Sequence, residues 1–270
     1  MQELAFLAVF AFIFGTIVGS FLNVVSLRFN TGKGIGGRSM CMSCGKTLRW
    51  MELIPLFSFL FLRGACRKCK SKISWQYPLV EFIAGCVFAL ILIKFPPVTL
   101  MAAVSTVIYL LTACLLVVIA AYDAKHQIIP DPFVYAFDAV ALLSVFVGGP
   151  ALYHAPHLAT LLAGPALALP FALLWAASRG TWMGLGDAKL ALGIGWILGM
   201  SAGVNAIVLA FWIGAAFGIA WMIITYKRYK HKIAIPFGPY LILAMYLVLL
   251  TGIRVIDVNT LISLFGYTSR

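Results

Sequence analysis

Acidic side chains are scarce in this sequence: eight Asp and Glu among 270 residues, against 20 Lys and Arg. Charged residues of both signs together make up only 10%. A soluble domain of this size is about half apolar, whereas 63% of this chain is hydrophobic and its mean hydropathy is +1.03. A soluble fold is therefore excluded, and a polytopic membrane protein is expected. No Ser/His/Asp pattern and no His-Glu-x-x-His motif occurs, which leaves serine-protease and zinc-protease chemistry without support. The first apolar stretch lacks a small-residue cleavage site, so it reads as a retained helix and not a removed signal peptide.

A bilayer span needs about 20 apolar residues. Eight stretches qualify as candidates, near 4–28, 78–95, 98–122, 132–148, 157–178, 188–200, 202–226 and 236–253. The sixth is short and glycine-rich (Gly193, Gly195, Gly199), and as a half-buried element it would reduce the count to seven. With eight spans and an outside N-terminus, the inside segments are 29–77, 123–131, 179–187 and 227–235. The first carries Lys33, Arg38, Lys46, Arg49, Arg63, Arg67, Lys68, Lys70 and Lys72, and the last carries Lys227, Arg228, Lys230 and Lys232. The outside loops near 96–98, 149–156 and 201 carry no Lys or Arg, the positive-inside pattern. Topology and anionic lipid headgroups account for the net charge of +12, so the bilayer and not nucleic acid is the expected partner.

One soluble piece is long enough to fold, from Arg28 to Tyr77. It contains Cys41-Met42-Ser43-Cys44 and Cys66-Arg67-Lys68-Cys69, with 21 residues between the pairs. Two Cys-x-x-Cys knuckles at this separation suit one tetrahedral zinc ion, and four thiolates leave no open position for water, so the zinc is structural. The inferred cytoplasmic side disfavours disulfides. The apolar run Leu53–Leu62 is too short to span and is expected to lie in the membrane interface. Cys86 and Cys114 read as small core residues, His154 and His157 as solvated residues of an outside loop, and His126 and His231 lie near basic inside loops.

Against this background two acids stand out. Asp123 and Asp187 each lie at the edge of a long apolar segment, where a carboxylate is costly and marks a functional site. Placed near one membrane face, they suggest a pair sharing a proton, as in aspartic proteases. Asp187 closes Gly184-Leu185-Gly186-Asp187, whose glycines give access to positive φ and to close approach by another chain. Asp131, between Pro130 and Pro132, is either a helix N-cap or a member of the site. Lys189 lies close to Asp187. Asp138 shares the helix face of Asp131 two turns deeper and is left outside the dyad.

The order of these parts resembles the bacterial type IV prepilin peptidase family, the bifunctional leader peptidase/N-methyltransferases. The resemblance runs through Gly19-Ser20-Phe21-Leu22-Asn23, Arg38-Ser39, Ile54-Pro55, Arg63-Gly64-Ala65-Cys66 and Tyr77-Pro78-Leu79-Val80-Glu81. It continues through Asp123 with Ile129-Pro130-Asp131, then Gly184-Leu185-Gly186-Asp187-Ala188-Lys189-Leu190 and Phe237-Gly238-Pro239. It implies cleavage of the basic leader of prepilins or pseudopilins at the cytoplasmic face of the inner membrane. Methylation of the new N-terminal residue follows, with S-adenosylmethionine as donor. The family's catalytic aspartates fall on Asp123 and Asp187, with Gly184, Gly186, Asp131 and Lys189 supporting them. Glu81 and Gly85 lie in the stretch associated with methyl transfer, and the four-cysteine loop is tied to the same activity. Met42 and Ser43 depart from a knuckle that often contains Pro, without removing a ligand. No Gly-x-Gly-x-x-Gly follows a strand, so no S-adenosylmethionine site can be placed.

The expected architecture is an all-α polytopic membrane protein of about eight transmembrane helices with a cytoplasmic zinc-binding loop domain. Its expected parts are a first helix over 1–28, the four-cysteine loop over 29–77 and a peptidase helix bundle over 78–270. Two other readings of the residues stay open: a presenilin-like intramembrane aspartyl protease, which also uses Gly-x-Gly-Asp, and a proton-coupled transporter. The basic inside face should repel a basic leader, and Glu52, Glu81 and Asp131 are the candidates for an acidic mouth that offsets it.

Overall fold

Within a bilayer the backbone has no water to bond with, so apolar runs of this length satisfy their own N–H and C=O groups by forming helices. The computed structural model describes residues 2–32, 34, 36–147, 157–225 and 236–257. Among these residues it is helical apart from loops and two isolated antiparallel bridges. The helices are α1 (Gln2–Arg28), α2 (Phe57–Phe61), α3 (Gln76–Lys94), α4 (Leu100–His126), α5 (Asp131–Val147), α6 (His157–Ser178), α7 (Leu185–Thr225) and α8 (Gly238–Thr251). A 3₁₀ turn occupies Trp50–Glu52. Lys33, the loop with His154, the side chain of His157, and the segment with Lys227, Arg228, Lys230, His231 and Lys232 lie outside the described residues.

Among the described residues, five helical stretches are long and apolar enough to cross a membrane: Ala5–Arg28, Gln76–Lys94, Leu100–His126, Leu158–Ser178 and Leu185–Ile224, the last interrupted at Gly199. The stretches expected as sixth and seventh spans are two helices that fold back on each other, since a Cβ on Gly203 would lie 3.9 Å from the Gly195 Cα; they are numbered together as α7 and part at Gly199 (φ 74, ψ 179). Its positive φ breaks the helical path, which glycine permits at no steric cost. Helices α5 and α8 have 17 and 14 residues, so at about 1.5 Å per residue each is shorter than a full hydrocarbon core.

The chain forms two units, Met1–Ala121 and Tyr122–Arg270. In the first, α1 packs against α3. Lipid tails are as apolar as leucine, so membrane helices associate through close packing of small residues. A Cβ on Gly19 would lie 2.8 Å from the Ala84 Cβ, and one on Gly85 would lie 2.8 Å from Thr16 Cγ2 and 2.9 Å from the Phe12 ring. Phe6, Phe10, Phe14 and Phe21 are exposed on α1, as a lipid-facing surface requires. Asn23 is fully buried and donates to the Tyr77 carbonyl at 3.1 Å, which ties α1 to the start of α3.

In the second unit α7 packs against α5, α6 and α8. Phe171 of α6, Phe211 of α7 and Phe237 form a ring cluster, with centroids 4.8 Å apart for Phe211–Phe237 and 6.2 Å for Phe171–Phe237. Ala188 and Ala191, one and four residues past Asp187, pack on Phe171. The cluster thus fixes the residue that precedes α8 beside the first turns of α7. Beyond α8, buried Asn205 accepts the N–H groups of Val255 and Ile256 at 2.6 and 2.7 Å.

Candidate active site and metal centre

Asp123 sits in the last turn of α4, where the carbonyl end of a helix disfavours a carboxylate. The opposite kind of helix end compensates: the N–H of Gly238, the first residue of α8, donates to Asp123 Oδ2 at 3.1 Å. A Cβ on Gly238 would lie 2.7 Å from that same oxygen, so only glycine allows the approach. Asp187 lies in the first turn of α7, with the Gly184 N–H directed at its carboxylate. This is the bond of a side chain at the third helical position back to the residue before the helix. Both acids are buried, 4% and 9% exposed, and their charges act on each other. The two carboxylates therefore meet where the N-termini of α7 and α8 supply donors and positive dipole ends.

Ile129 packs between Gly186 and Gly238. A Cβ on Gly186 would lie 2.8 Å from the Ile129 Cβ, and one on Gly238 would lie 3.4 Å from its Cδ1. Neither Gly184 nor Gly186 has positive φ, contrary to one use foreseen for them; Gly186 serves close approach instead. Helix α5 starts at Asp131, with the Pro130 carbonyl accepting from Phe133 and Val134. The Asp131 carboxylate bonds across to Lys189 at 2.6 Å, and the Lys189 ammonium lies 4.6 Å from the Tyr135 ring centroid. This pair clamps the start of α5 to the first turn of α7, two residues past Asp187. Asp138 is buried deeper on α5 against Gly193 of α7, where a Cβ would lie 2.6 Å from its Oδ1.

Gly238 and Ile129 appeared in the sequence only within short motifs, and neither was singled out as a site residue. A glycine in front of proline after an aromatic is a weak signal, because its partner is 115 residues away. The acidic mouth is also corrected. Glu52 is buried on Lys46 and Glu81 on the Leu56 N–H, so of the three acids only Asp131 keeps an exposed carboxylate.

In the loop, the sulfurs of Cys41, Cys44, Cys66 and Cys69 all lie within 4.8 Å of one another, with 3.8 Å between Cys41 and Cys69. A tetrahedron with zinc–sulfur bonds of about 2.3 Å has edges of about 3.8 Å, so the cluster fits one zinc ion. The two knuckles repeat one backbone pattern. Cys41 N–H bonds to the Lys46 carbonyl and Gly45 N–H to that of Cys41, while Cys66 N–H bonds to Ser71 and Lys70 N–H to Cys66. The bridges Met40–Thr47 and Ala65–Lys72 close them. Gly45 and Lys70 occupy the same left-handed position, at φ 68 and 59. Backbone N–H groups of Cys44 and Ser43 hold the Cys41 thiol down at about 6, and the Ser71 hydroxyl lowers Cys69. The Lys46 N–H also pulls on Cys44, but burial and the neighbouring sulfurs push that thiol up to about 11. A dication among the four sulfurs relieves that crowding of charge. Glu52 braces the first knuckle, accepting the Arg49 N–H at 2.8 Å and the Lys46 ammonium at 3.0 Å.

Residues 13–95 match the bacterial peptidase A24 N-terminal domain, and residues 109–219 match the type IV leader peptidase family. A prepilin leader peptidase/N-methyltransferase of Bacillus subtilis (strain 168) is 32% identical over 255 residues, covering 91% of this chain and 95% of its own length. The chain belongs to the type IV leader peptidase family. Relatives with the same printed name include one from Aeromonas hydrophila, 31% identical and covering 89% of each chain. Another, from Myxococcus xanthus, is 35% identical over 81% of this chain and 64% of its own. No solved structure matches the chain. Among the readings the residues left open, membership selects the leader peptidase. The four cysteines, Glu81 and Gly85 lie in the first matched region and Asp123, Asp131, Asp187 and Lys189 in the second, while Gly238 lies beyond both.

Purified protein is expected to carry one zinc ion by elemental analysis, and Cys41→Ser with Cys69→Ser to lose it; zinc content unchanged by both substitutions contradicts the site. Glu52 gives a pH dependence. The Arg49 N–H and the Lys46 ammonium hold its carboxyl below the ordinary value of 4.5. Its contribution is therefore fully present above that value and is lost as pH falls through the lowered one. Glu52→Gln is expected to speed hydrogen exchange of the Arg49 and Leu53 amides near neutral pH, and the difference from wild type to vanish in acid. Comparison at equal pH cancels acid effects on the metal shared by both proteins.

Proposed function

We propose that this chain removes the leader of prepilins or pseudopilins at the cytoplasmic face of the bacterial inner membrane and then N-methylates the new N-terminus. Asp123 and Asp187 are the catalytic pair. The observation that carries this is the meeting of two buried carboxylates from different helices at the N-termini of α7 and α8. One carboxylate takes a proton from water as that water attacks the scissile carbonyl. The other, protonated, donates to the carbonyl oxygen. Gly238 N–H stabilises charge on Asp123, while Ile129, packed between Gly186 and Gly238, spaces the starts of α7 and α8. The Lys189–Asp131 clamp keeps Asp187 in register. A prepilin with its basic leader inside and its apolar helix in the bilayer brings its scissile bond to the interfacial level expected for both aspartates. The concentration of Lys and Arg in 29–77 and 227–235 supports the cytoplasmic side.

Zinc would be held by Cys41, Cys44, Cys66 and Cys69 and would supply folding energy to the loop, with no part in bond breaking. S-adenosylmethionine is the methyl donor this reading implies. Glu81 and Gly85 do not form a cradle for it, because Phe12 and Thr16 fill the face of Gly85 and the Glu81 carboxylate is engaged by Leu56.

Mass spectrometry of a prepilin incubated with purified protein and S-adenosylmethionine tests the reading. Wild type is expected to remove the leader and add one methyl group to the new N-terminus. Asp123→Asn and Asp187→Asn are each expected to slow cleavage by about a hundredfold or more. Cleavage that survives either substitution overturns the pair.

A further inference from the structure

Leu56 has φ 62 and ψ −51, a strained backbone conformation for a residue with a side chain. The Phe57 N–H bonds to the Pro55 carbonyl at 2.6 Å, closing a three-residue γ-turn around it. Strain of this kind persists only where surrounding contacts over-determine it. Here the contact is a buried acid: the Leu56 N–H donates to Glu81 Oε2 at 2.8 Å, and Glu81 is 7% exposed on α3. The Ser20 hydroxyl of α1 also reaches that carboxylate. The turn leads directly into α2, whose Phe57, Leu60 and Phe61 are exposed. At the far end of α2, the Gly64 N–H bonds to the Phe59 carbonyl, two residues before the second knuckle begins at Cys66. The segment between the knuckles is thus held to α3 by the Leu56 N–H on the Glu81 carboxylate and by the Phe59 ring, 4.8 Å from that of Trp75 at the start of α3.

We propose that Glu81 is a positioning residue for methyl transfer. By holding the strained Leu56 turn it sets α2, and the segment joining the two knuckles, on the α1–α3 pair. This rests on the methyltransferase reading above and adds to it how Glu81 acts. What the turn requires of Glu81 is an acceptor at the right place, not a charge and not contact with a cofactor. Gly85, one turn along α3 on the seam with α1, serves the same end by letting α1 and α3 approach.

The test follows N-methylation and leader cleavage separately in the full-length protein, with prepilin and S-adenosylmethionine. Glu81→Ala leaves the turn unheld and is expected to lower methylation about tenfold or more while cleavage continues. Glu81→Gln offers the same N–H an amide oxygen and is expected to keep methylation within about threefold of wild type. Leu56→Gly in the Glu81→Ala background is expected to recover most of the activity, because glycine adopts positive φ without strain. Glu81→Gln as defective as Glu81→Ala would overturn the proposal, since the charge itself would then be required. So would wild-type methylation by Glu81→Ala, or failure of Leu56→Gly to rescue. Wild-type protein that cleaves without methylating overturns the methyltransferase reading and the proposal with it, whereas the variant results bear on the proposal alone.

Discussion

The hydrogen bond from the Gly238 N–H to Asp123 is the contact around which the second unit is arranged. A carboxylate taken out of water must find donors or give up its charge. At the carbonyl end of α4 no backbone donor is free, so the start of another helix has to be brought to it. That requirement explains several features at once. Residue 238 must be glycine because a Cβ would strike the carboxylate, and Phe237 must be held by the ring cluster with Phe171 and Phe211. Ile129 must fit between Gly238 and Gly186. The Ile129 side chain thereby sets how closely the starts of α7 and α8 approach.

The first unit solves a different problem with the same economy of acids. Its loop is too small to fold on apolar burial, and its two buried carboxylates both go to backbone N–H groups: Glu52 to Arg49 in the first knuckle, Glu81 of α3 to Leu56 between the knuckles. Four sulfurs spaced for one metal ion join the knuckles. Of the described acids in the two units, Glu52, Glu81, Asp123 and Asp187 are thus each engaged by a main-chain donor. In these four places a fixed backbone dipole meets the carboxylate, whereas Asp131 is met by the Lys189 ammonium.

The parts legible in the sequence were those set by local chemistry. Apolar runs gave helices, and the Cys-x-x-Cys spacing gave a four-sulfur cluster, because both patterns are written over a few consecutive residues. The stretches expected at 188–200 and 202–226 part at Gly199, because glycine adopts the positive φ that a continuous helix cannot contain. Asp123 and Asp187 stood out because an acid beside an apolar run is costly enough to be conspicuous, and both are buried. Gly238, Ile129 and the Leu56 turn did not, because each acquires its role from a partner far away in the chain. Glu52 shows the same limit: counted by charge it belonged to an acidic mouth, but its partner Lys46 and the nearby N–H withdraw it from the surface.

The pH dependence of kcat/KM for prepilin cleavage, measured in lipid nanodiscs, tests most directly whether the two aspartates act as one unit. Two carboxyls sharing a proton give a bell-shaped profile: activity falls in acid as the pair takes up a second proton, and falls in alkali as it loses the shared one. A rate that climbs with pH to a plateau, as for one carboxylate working alone, would contradict the paired site.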